Sequence, residues 1–163
     1  MIILAVDPGF DKLGYAFFEF ERHPLKRHKL LISGLIKSNP KDKIEKRLFF
    51  IYKKLSSLIK EFQPQSIILE QIFFLKNKKT VIQVSQAQGI VLLLAGIYNI
   101  ETKFITPLQI KQTITGYGRS DKKSVQKMIT LTEKISPSKQ DDEMDAIACG
   151  LAYCYLQQSS SSI

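Results

Sequence analysis

The chain opens with five consecutive apolar residues, Ile2 to Val6, and a carboxylate, Asp7, follows them at once. An unbroken apolar run of this length is typical of a strand that is buried on both faces. Pro8 and Gly9 end the strand, so Asp7 stands at its carboxyl end. A charge beside a buried strand is costly unless a cation or a basic side chain pairs with it, although many such aspartates only cap a turn. The run therefore predicts a buried first strand and makes Asp7 the first candidate site residue.

Two further strands are predicted next, over residues 15–20 and 29–37, and the polar loops after them indicate an antiparallel meander. Residues 41–62 then change period, because their apolar residues recur every three or four positions, as in an amphipathic helix. The opposite face of this helix is basic and is predicted to be a solvated surface. It carries Lys43, Lys46, Arg47, Lys53, Lys54 and Lys60.

A second acid repeats the pattern of Asp7. Residues 66–69 form a short apolar strand, and Glu70 stands at its end. A long helix is predicted over residues 80–99. Its later half is nearly all apolar, which indicates burial on more than one side, and a dimer interface would supply the second side. A fifth strand is predicted over residues 101–106.

Three helices are predicted to complete the chain. The first covers residues 107–115 and opens at a proline, which favours the first turn of a helix. The second covers residues 121–133 with Ser120 as its N-terminal cap, and the third covers residues 140–157. Residues 158–163 are predicted to be a flexible tail.

The order of these elements defines the fold class. Right-handed crossovers make the fourth strand parallel to the first and the fifth parallel to the fourth. We therefore expect an α/β domain over residues 1–157, built on a mixed five-stranded sheet with helices on both faces. The sheet combines a three-stranded antiparallel meander with two parallel strands.

Charge and cysteine content bear on the partner and the compartment. The 163 residues suit one domain, and 24 Lys and Arg against 15 Asp and Glu give a net charge of +9. A basic balance favours a polyanionic partner, nucleic acid first. Cys149 and Cys154 are five residues apart on a helix and face different sides, which predicts two buried free thiols in a cytoplasmic protein. No signal peptide or membrane span is predicted, because acids interrupt the N-terminal apolar run and the run over residues 90–95 is too short.

Asp7 and Glu70 are predicted to lie side by side. If strands one and four are parallel neighbours, their carboxyl ends share one edge of the sheet, and adjacent strands are about 4.8 Å apart. Two carboxylates that close repel each other unless a cation lies between them. Mg²⁺ prefers oxygen ligands of this kind.

The last helix brings more acids toward the same edge. Asp142 and Asp145 are three residues apart and share a face, and the apolar residues around Asp145 turn that face toward the domain. Asp141 is one turn from Asp145, so the sequence leaves open which of Asp141 and Asp142 is used. The helix dipole by itself accounts for Asp141 and Glu143 at a helix N-terminus. Four carboxylates from three elements could hold two metal ions, a pair that suits phosphodiester hydrolysis.

Six short motifs, in register along almost the whole chain, resemble those of RuvC-type Holliday junction resolvases. They are Asp7-Pro8-Gly9 with Gly14-Tyr15, Glu70-Gln71-Ile72-Phe73, Lys76-Asn77, Gln86-Ala87, Gln109-Ile110-Lys111-Gln112, and Asp142 with Asp145-Ala146-Ile147-Ala148. The resemblance implies an RNase H-like fold and a homodimer that makes paired symmetric nicks in four-way DNA junctions during recombination and repair. It also implies Mg²⁺ or Mn²⁺ as the cofactor, 5′-phosphate and 3′-hydroxyl products, and a branch-migration helicase complex as an expected further partner.

The resemblance also implies roles for single residues. Phe73 matches an aromatic residue that engages bases near the junction centre, with Phe74 as the alternative. Lys111 and Lys122 match basic residues near the scissile backbone, with Lys123 as the alternative to Lys122. The family's metal-binding acids match Asp7, Glu70, Asp142 and Asp145. General contacts with the DNA backbone are predicted for Lys76, Lys78, Lys79 and Arg119.

Gln88 departs from the family pattern, because many relatives carry Arg at this place after Gln86-Ala87. Three other functions stay open from the sequence: another RNase H-like nuclease that acts on RNA or linear DNA, a non-cleaving protein that binds junctions, and an actin-like ATP-binding domain. The last shares the opening Asp-x-Gly pattern but usually needs two domains of this size. The four acids argue against a protein that only binds DNA.

Overall fold

The computed structural model describes residues 1–21, 28–71, 78–135 and 140–160. Within these ranges the chain forms five strands and five helices. In chain order they are β1 (Ile2–Asp7), β2 (Lys12–Phe20), β3 (His28–Lys37), α1 (Ile44–Phe62), β4 (Ser66–Glu70), α2 (Lys78–Tyr98), β5 (Glu101–Ile105), α3 (Pro107–Thr115), α4 (Lys122–Glu133) and α5 (Asp141–Ser160).

The strands form one mixed sheet in the order β3-β2-β1-β4-β5. β1 pairs with β2 and β2 with β3 in antiparallel fashion, whereas β1, β4 and β5 run parallel to one another. The predicted meander, the two parallel strands and their order along the chain are confirmed. β1 is the central strand, which explains its continuous apolar sequence.

The sheet is covered on both faces, as predicted. Successive residues of β1 point to opposite faces, so Ile3 and Ala5 pack into one core and Leu4 and Val6 into the other. The first core lies against α3, α4 and α5, and the second lies against α1 and α2. All four of these β1 side chains are fully buried, which is the reason that the charge of Asp7 lies at the strand end.

Several predicted boundaries are wrong by a few residues. β2 begins at Lys12 rather than at residue 15, because the residues after the turn already pair with β1 and β3. Asp121, not Ser120, caps α4, since its carboxylate accepts a hydrogen bond of 2.8 Å from the Ser124 amide. α5 continues to Ser160, so the predicted tail overlaps the end of this helix.

Arg47 is the clearest correction. It was predicted on the solvated face of α1, yet only 7% of it is exposed. Position 47 lies one turn before Ile51 and shares its buried side of the helix. The Arg47 guanidinium donates hydrogen bonds to the Phe10 carbonyl (3.2 Å) and to the Asp11 carboxylate, and it lies 4.0 Å above the centre of the Phe10 ring. It also donates to the hydroxyl of Ser38, so α1 is tied to the connection that follows Asp7.

Two other predictions concern burial and membrane association. Cys149 and Cys154 are buried free thiols, as predicted. Across the described ranges, no helix combines the length and the apolar character that crossing a bilayer requires.

Candidate active site

Asp7 and Glu70 lie at the same edge of the sheet. Val6 of β1 is paired with Leu69 of β4 in a parallel register, so the residues that follow each of them end neighbouring strands. The predicted adjacency of the two strand ends is confirmed. Each carboxyl group is therefore fixed by a buried strand rather than by a loop.

Close packing of α5 on the sheet brings further acids to this edge. Gly14 of β2 is paired with Asp7, and a Cβ atom at Gly14 would lie 1.9 Å from the backbone carbonyl oxygen of Asp142. Gly150 allows a similar approach further along the helix, where a Cβ atom would lie 2.4 Å from the Phe18 ring. The first turns of α5, which include Asp145, are thus held against the end of β1.

A cavity of about 290 Å³ joins two acids to two lysines. Glu70 and Asp145 line it, together with Lys111 of α3 and Lys122 of α4. Its remaining walls are apolar and come from Pro107, Ile110, Val125 and Ala148. A region of low polarity strengthens every charge interaction inside it.

The helices that carry the two lysines start at well-defined caps. Thr106 and Gln109 form a capping box at the start of α3. Asp121 caps α4 one residue before Lys122. Lys111 and Lys122 are therefore placed on rigid elements on either side of the connection between α3 and α4.

Asp7 has a strongly shifted pKa. Its pKa is raised from 3.8 to about 7, first by burial and then by the charges of Asp145, Glu70 and Asp142 in that order, while Lys122 lowers it. Burial also raises the pKa of Glu70, with a further contribution from Asp145, against the lowering effect of Lys111 and Lys122. The acids thus repel one another around Asp7, and the lysines offset only part of that repulsion.

Lys122 forms the closest ion pair of the site. Its ammonium group donates a hydrogen bond of 2.7 Å to Asp145 and lies 3.6 Å from the carboxylate of Asp141. Burial opposes the charge of Lys122, but the hydrogen bond from Lys122 to Asp145 and the nearby acids outweigh it and raise the pKa of the lysine. Lys123, the alternative to Lys122, is exposed and does not line the cavity.

Asp141 and Asp142 face different surroundings. Asp142 lines a second cavity, of about 300 Å³, which the turn after β1 and the side chain of Gln83 also line. The charge of Asp142 raises the pKa of Asp7. The Asp141 carboxylate instead accepts a hydrogen bond of 3.1 Å from Gln126 and lies near Lys122. The structure therefore favours Asp142 as the fourth acid around Asp7.

The acids lie at the same edge of the sheet, but their side chains do not have the geometry of a complete metal-binding site. Among the described residues, no three His, Cys, Asp or Glu side chains have the arrangement of a metal site. The chemistry of the set still fits a divalent cation, because its donors are hard carboxylate oxygens. Burial, with the repulsion between neighbouring acids as a further cause, raises the pKa of Asp7, Glu70 and Asp145. A cation among these acids would remove that repulsion.

Several predicted DNA contacts lie outside the described residues: Phe73, Phe74 and Lys76. Lys78 and Lys79 open α2. Arg119 is exposed in the connection between α3 and α4.

A family model described as crossover junction endodeoxyribonuclease RuvC matches residues 3–154. The chain belongs to this family. It is 40% identical to RuvC of Brachyspira hyodysenteriae over 153 residues, and this alignment covers 94% of this chain and 93% of the relative. It is 39% identical over 156 residues to RuvC of Alkaliphilus metalliredigens, with 95% and 93% covered.

Solved RuvC structures confirm the RNase H-like fold. The structure described as "T. thermophilus RuvC in complex with Holliday junction substrate" superposes with a TM-score of 0.89 at 22% identity, over 99% of this chain and 97% of the other. A second RuvC structure from Thermus thermophilus gives a TM-score of 0.87. Membership of the RuvC family also confirms the predicted enzyme class, a Holliday junction resolvase that cuts DNA with the help of metal ions.

Two residues that shape the site were missed from the sequence. Arg47 lies four residues before Ile51 and eight before Leu55, so all three share the buried side of α1. This spacing was the feature of the sequence that could have predicted the burial of Arg47. Gly14 was included in a motif, but nothing in the sequence indicated that its missing side chain makes room for the backbone of Asp142.

Proposed function

We propose that this chain resolves four-way DNA junctions by paired, symmetric nicks that leave 5′-phosphate and 3′-hydroxyl ends. The observation that carries the proposal is the cavity in which Glu70 and Asp145 meet Lys111 and Lys122, beside the half-buried Asp7. Carboxylates that can bind a metal cation, close to lysines that can bind a phosphate, suit a site for a phosphodiester. The kinship with RuvC proteins supports the junction as the substrate.

The proposed ligands of the metal ions are Asp7, Glu70, Asp142 and Asp145. Mg²⁺ is the proposed ion, with Mn²⁺ as a substitute, and two ions are proposed for each site. Such ions supply the charge that activates an attacking water and stabilises the leaving 3′ oxygen. The raised pKa values of Asp7 and Glu70 support this role, because both carboxyl groups retain protons more strongly than usual until a cation compensates their charge.

Lys111 and Lys122 are proposed to neutralise charge on the scissile phosphate. Both line the cavity, and both lower the pKa of Glu70. Lys122 already donates a hydrogen bond to Asp145, so its ammonium group is held within reach of the acids. A fixed cation at the place where negative charge develops lowers the barrier to reaction.

The chain is proposed to act as a homodimer through α2. One stripe of this helix is apolar yet exposed: Ile82 is 59% exposed, and Leu93 and Ile97 are each 53% exposed. A Cβ atom at Gly89 or Gly96 would meet no atom within 4 Å, so a second helix can approach the backbone closely here. Two sites related by a twofold axis match the near twofold symmetry of a junction.

The remaining predicted contacts keep their proposed roles. Phe73 or Phe74 would stack on bases near the junction centre. The general backbone contacts are proposed for Lys76, Lys78, Lys79, Arg119 and Lys123. A branch-migration helicase complex and a cytoplasmic location stay predictions.

The test compares a labelled four-way junction, a matched linear duplex and an RNA–DNA hybrid, each with and without Mg²⁺. Asp7→Asn is the inactive variant, and Glu19→Gln is its matched control, because Glu19 is exposed and pairs with Ile2 at the opposite end of β1 from Asp7. We expect symmetric nicks in the junction alone. These should require both Mg²⁺ and Asp7, while Asp7→Asn should keep junction binding.

Other outcomes would correct specific parts of the proposal. Cutting of the hybrid or the duplex in preference to the junction would retain the metal site and overturn the substrate. Junction binding without cutting under any metal would instead indicate a structural protein.

A further inference from the structure

The surface around α1 carries charge that the proposed active site does not use. Lysines on α1, on the connection before it and at the adjoining ends of β2 and β3 are all exposed. Within the described residues, none of them has a carboxylate within 4.0 Å. We call this set the α1 lysine surface: Lys12, Lys37, Lys41, Lys43, Lys46, Lys53, Lys54 and Lys60.

The α1 lysine surface starts at the edge of the sheet that carries Asp7. β3 runs parallel to β1, because both are antiparallel to β2, so Lys37 ends β3 at this edge. Lys12 is paired with Lys37 and lies at the same edge. α1 then runs back along the sheet, and its 19 residues span about 28 Å. The lysines therefore form a track that leads away from the catalytic edge.

Two exposed aromatic rings contact lysines in the middle of this track. Phe49 is 59% exposed and Phe50 is 39% exposed. The ammonium group of Lys53 lies 5.8 Å from the centre of the Phe49 ring, and that of Lys54 lies 5.7 Å from the centre of the Phe50 ring. A ring beneath each lysine favours an extended stem with its charge held at the surface.

A groove of about 350 Å³ makes the track continuous. Lys37 of β3 and Lys54 of α1 both line it, together with Phe50. The exposed acids of the region are fewer than its lysines: Asp11, which pairs with Arg47, and Asp42, Glu45 and Glu61. The surface therefore keeps an excess of positive charge along its whole length.

We propose that the α1 lysine surface binds the phosphate backbone of one duplex arm of the junction, beyond the crossover. The proposal rests on the proposed function for the identity of its substrate. A duplex rises by about 3.4 Å per base pair, so the length of α1 corresponds to about eight base pairs. An arm that leaves the catalytic edge along α1 meets lysines over this distance, and phosphate contacts of this kind position DNA without reading its sequence.

The test measures how junction affinity depends on salt, with arms of two lengths. Each phosphate that a lysine neutralises contributes a slope of about −0.9 to the logarithmic salt dependence. Three double variants remove two charges each. The far pair is Lys53→Gln/Lys60→Gln, the near pair is Lys43→Gln/Lys46→Gln, and the control pair is Lys29→Gln/Lys134→Gln, whose lysines are exposed outside the surface.

We expect the far pair to reduce the magnitude of the salt slope by about two on arms of about 20 base pairs. On hairpin-closed arms of about six base pairs we expect a reduction of only about one, because about 20 Å of duplex reaches Lys53 but not Lys60 along α1. Between about 50 and 200 mM salt, the change on the long arms corresponds to about a tenfold smaller loss of affinity than in the unmodified chain. The near pair should reduce the slope on both arm lengths. Thermal unfolding of each variant checks that the fold is intact.

A far pair that behaves like the control pair on long arms would overturn the proposal, and would leave an acidic peptide as the occupant to test. An equal effect of the far pair on both arm lengths would overturn it as well, because the contact would then lie near the crossover. Cutting of the short-armed junction reports on the proposed function separately. At saturating protein the far pair should cut that junction as the unmodified chain does, whereas a failure of the unmodified chain to cut it would count against the proposed function itself.

Discussion

Replacing Asp7 with Asn should abolish cutting and, at the same time, stabilise the ion-free protein at neutral and alkaline pH. Asp7 is buried among like charges, and its pKa is raised from 3.8 to about 7. An asparagine side chain has nearly the same shape and cannot ionise. The variant therefore removes a charge that the folded state accommodates only at a cost in free energy.

The magnitude follows from the difference between the folded and unfolded pKa. About three pKa units at about 1.4 kcal/mol each correspond to about 4 kcal/mol. Between pH 4 and pH 7 the folded state keeps a proton that the unfolded chain releases, so the free energy of unfolding falls as pH rises through this window. Below the unfolded pKa both states are protonated and the cost vanishes. We therefore expect equal stability of the two proteins near pH 4 and a gain of up to about 4 kcal/mol for Asp7→Asn near pH 8.

Urea unfolding in the presence of a chelator, followed by circular dichroism, measures this difference at each pH. Asp42→Asn, which removes an exposed acid, is the matched control and should follow the unmodified chain. Added Mg²⁺ should stabilise the unmodified chain more than Asp7→Asn, because the ion replaces the missing counter-charge. Parallel curves for Asp7→Asn and the unmodified chain across the whole pH range would refute the reasoning.

Three other substitutions test the framework of the site. Lys122→Met removes a cation that lowers the pKa of Asp7, so the acidic limb of the pH profile for cutting should move to higher pH, as pH–rate measurements would show. Gly14→Ala places a methyl group against the backbone of Asp142; we expect a loss of about 1–3 kcal/mol in thermal unfolding together with slower cutting, and unchanged cutting would contradict the role of this contact. Arg47→Met removes the buried hydrogen bonds from the guanidinium to the Phe10 carbonyl, the Ser38 hydroxyl and the Asp11 carboxylate, although Ser38 still donates to that carbonyl; we expect a loss of about 1–3 kcal/mol in urea unfolding, part of which Arg47→Lys should restore.

The sheet could be predicted because its signals are local. The apolar run from Ile2 to Val6 and the shorter run before Glu70 could only be buried strands, and the handedness of crossovers then determined their order. The boundaries were harder, because β2 begins with residues whose pairing depends on the turn after Asp7. Capping was also ambiguous, since Ser120 and Asp121 are adjacent and both are good caps.

The meeting of the acids at one edge of the sheet could be predicted, since each one ends a strand or begins a helix, and their role as metal ligands stays a prediction. The choice between Asp141 and Asp142 needed the structure, because it depends on how closely α5 lies on β2 at Gly14. The burial of Arg47 was missed for a different reason. Its spacing of four with Ile51 and Leu55 indicated a buried position, but its polar partners, the Phe10 carbonyl and two side chains outside α1, cannot be identified from the sequence around it.

The ion pair between Lys122 and Asp145 has a thermodynamic consequence. In the ion-free state the lysine serves as the counter-ion of Asp145, so Asp145 would have to exchange the lysine for a metal ion in order to hold that ion. The freed ammonium group would then be available to a phosphate in the same cavity. Binding of the ion and binding of the DNA should therefore be positively coupled, and coupling of this kind is reciprocal. The concentration of Mg²⁺ at half-maximal binding should fall as the junction concentration rises, and this dependence should weaken in Lys122→Met.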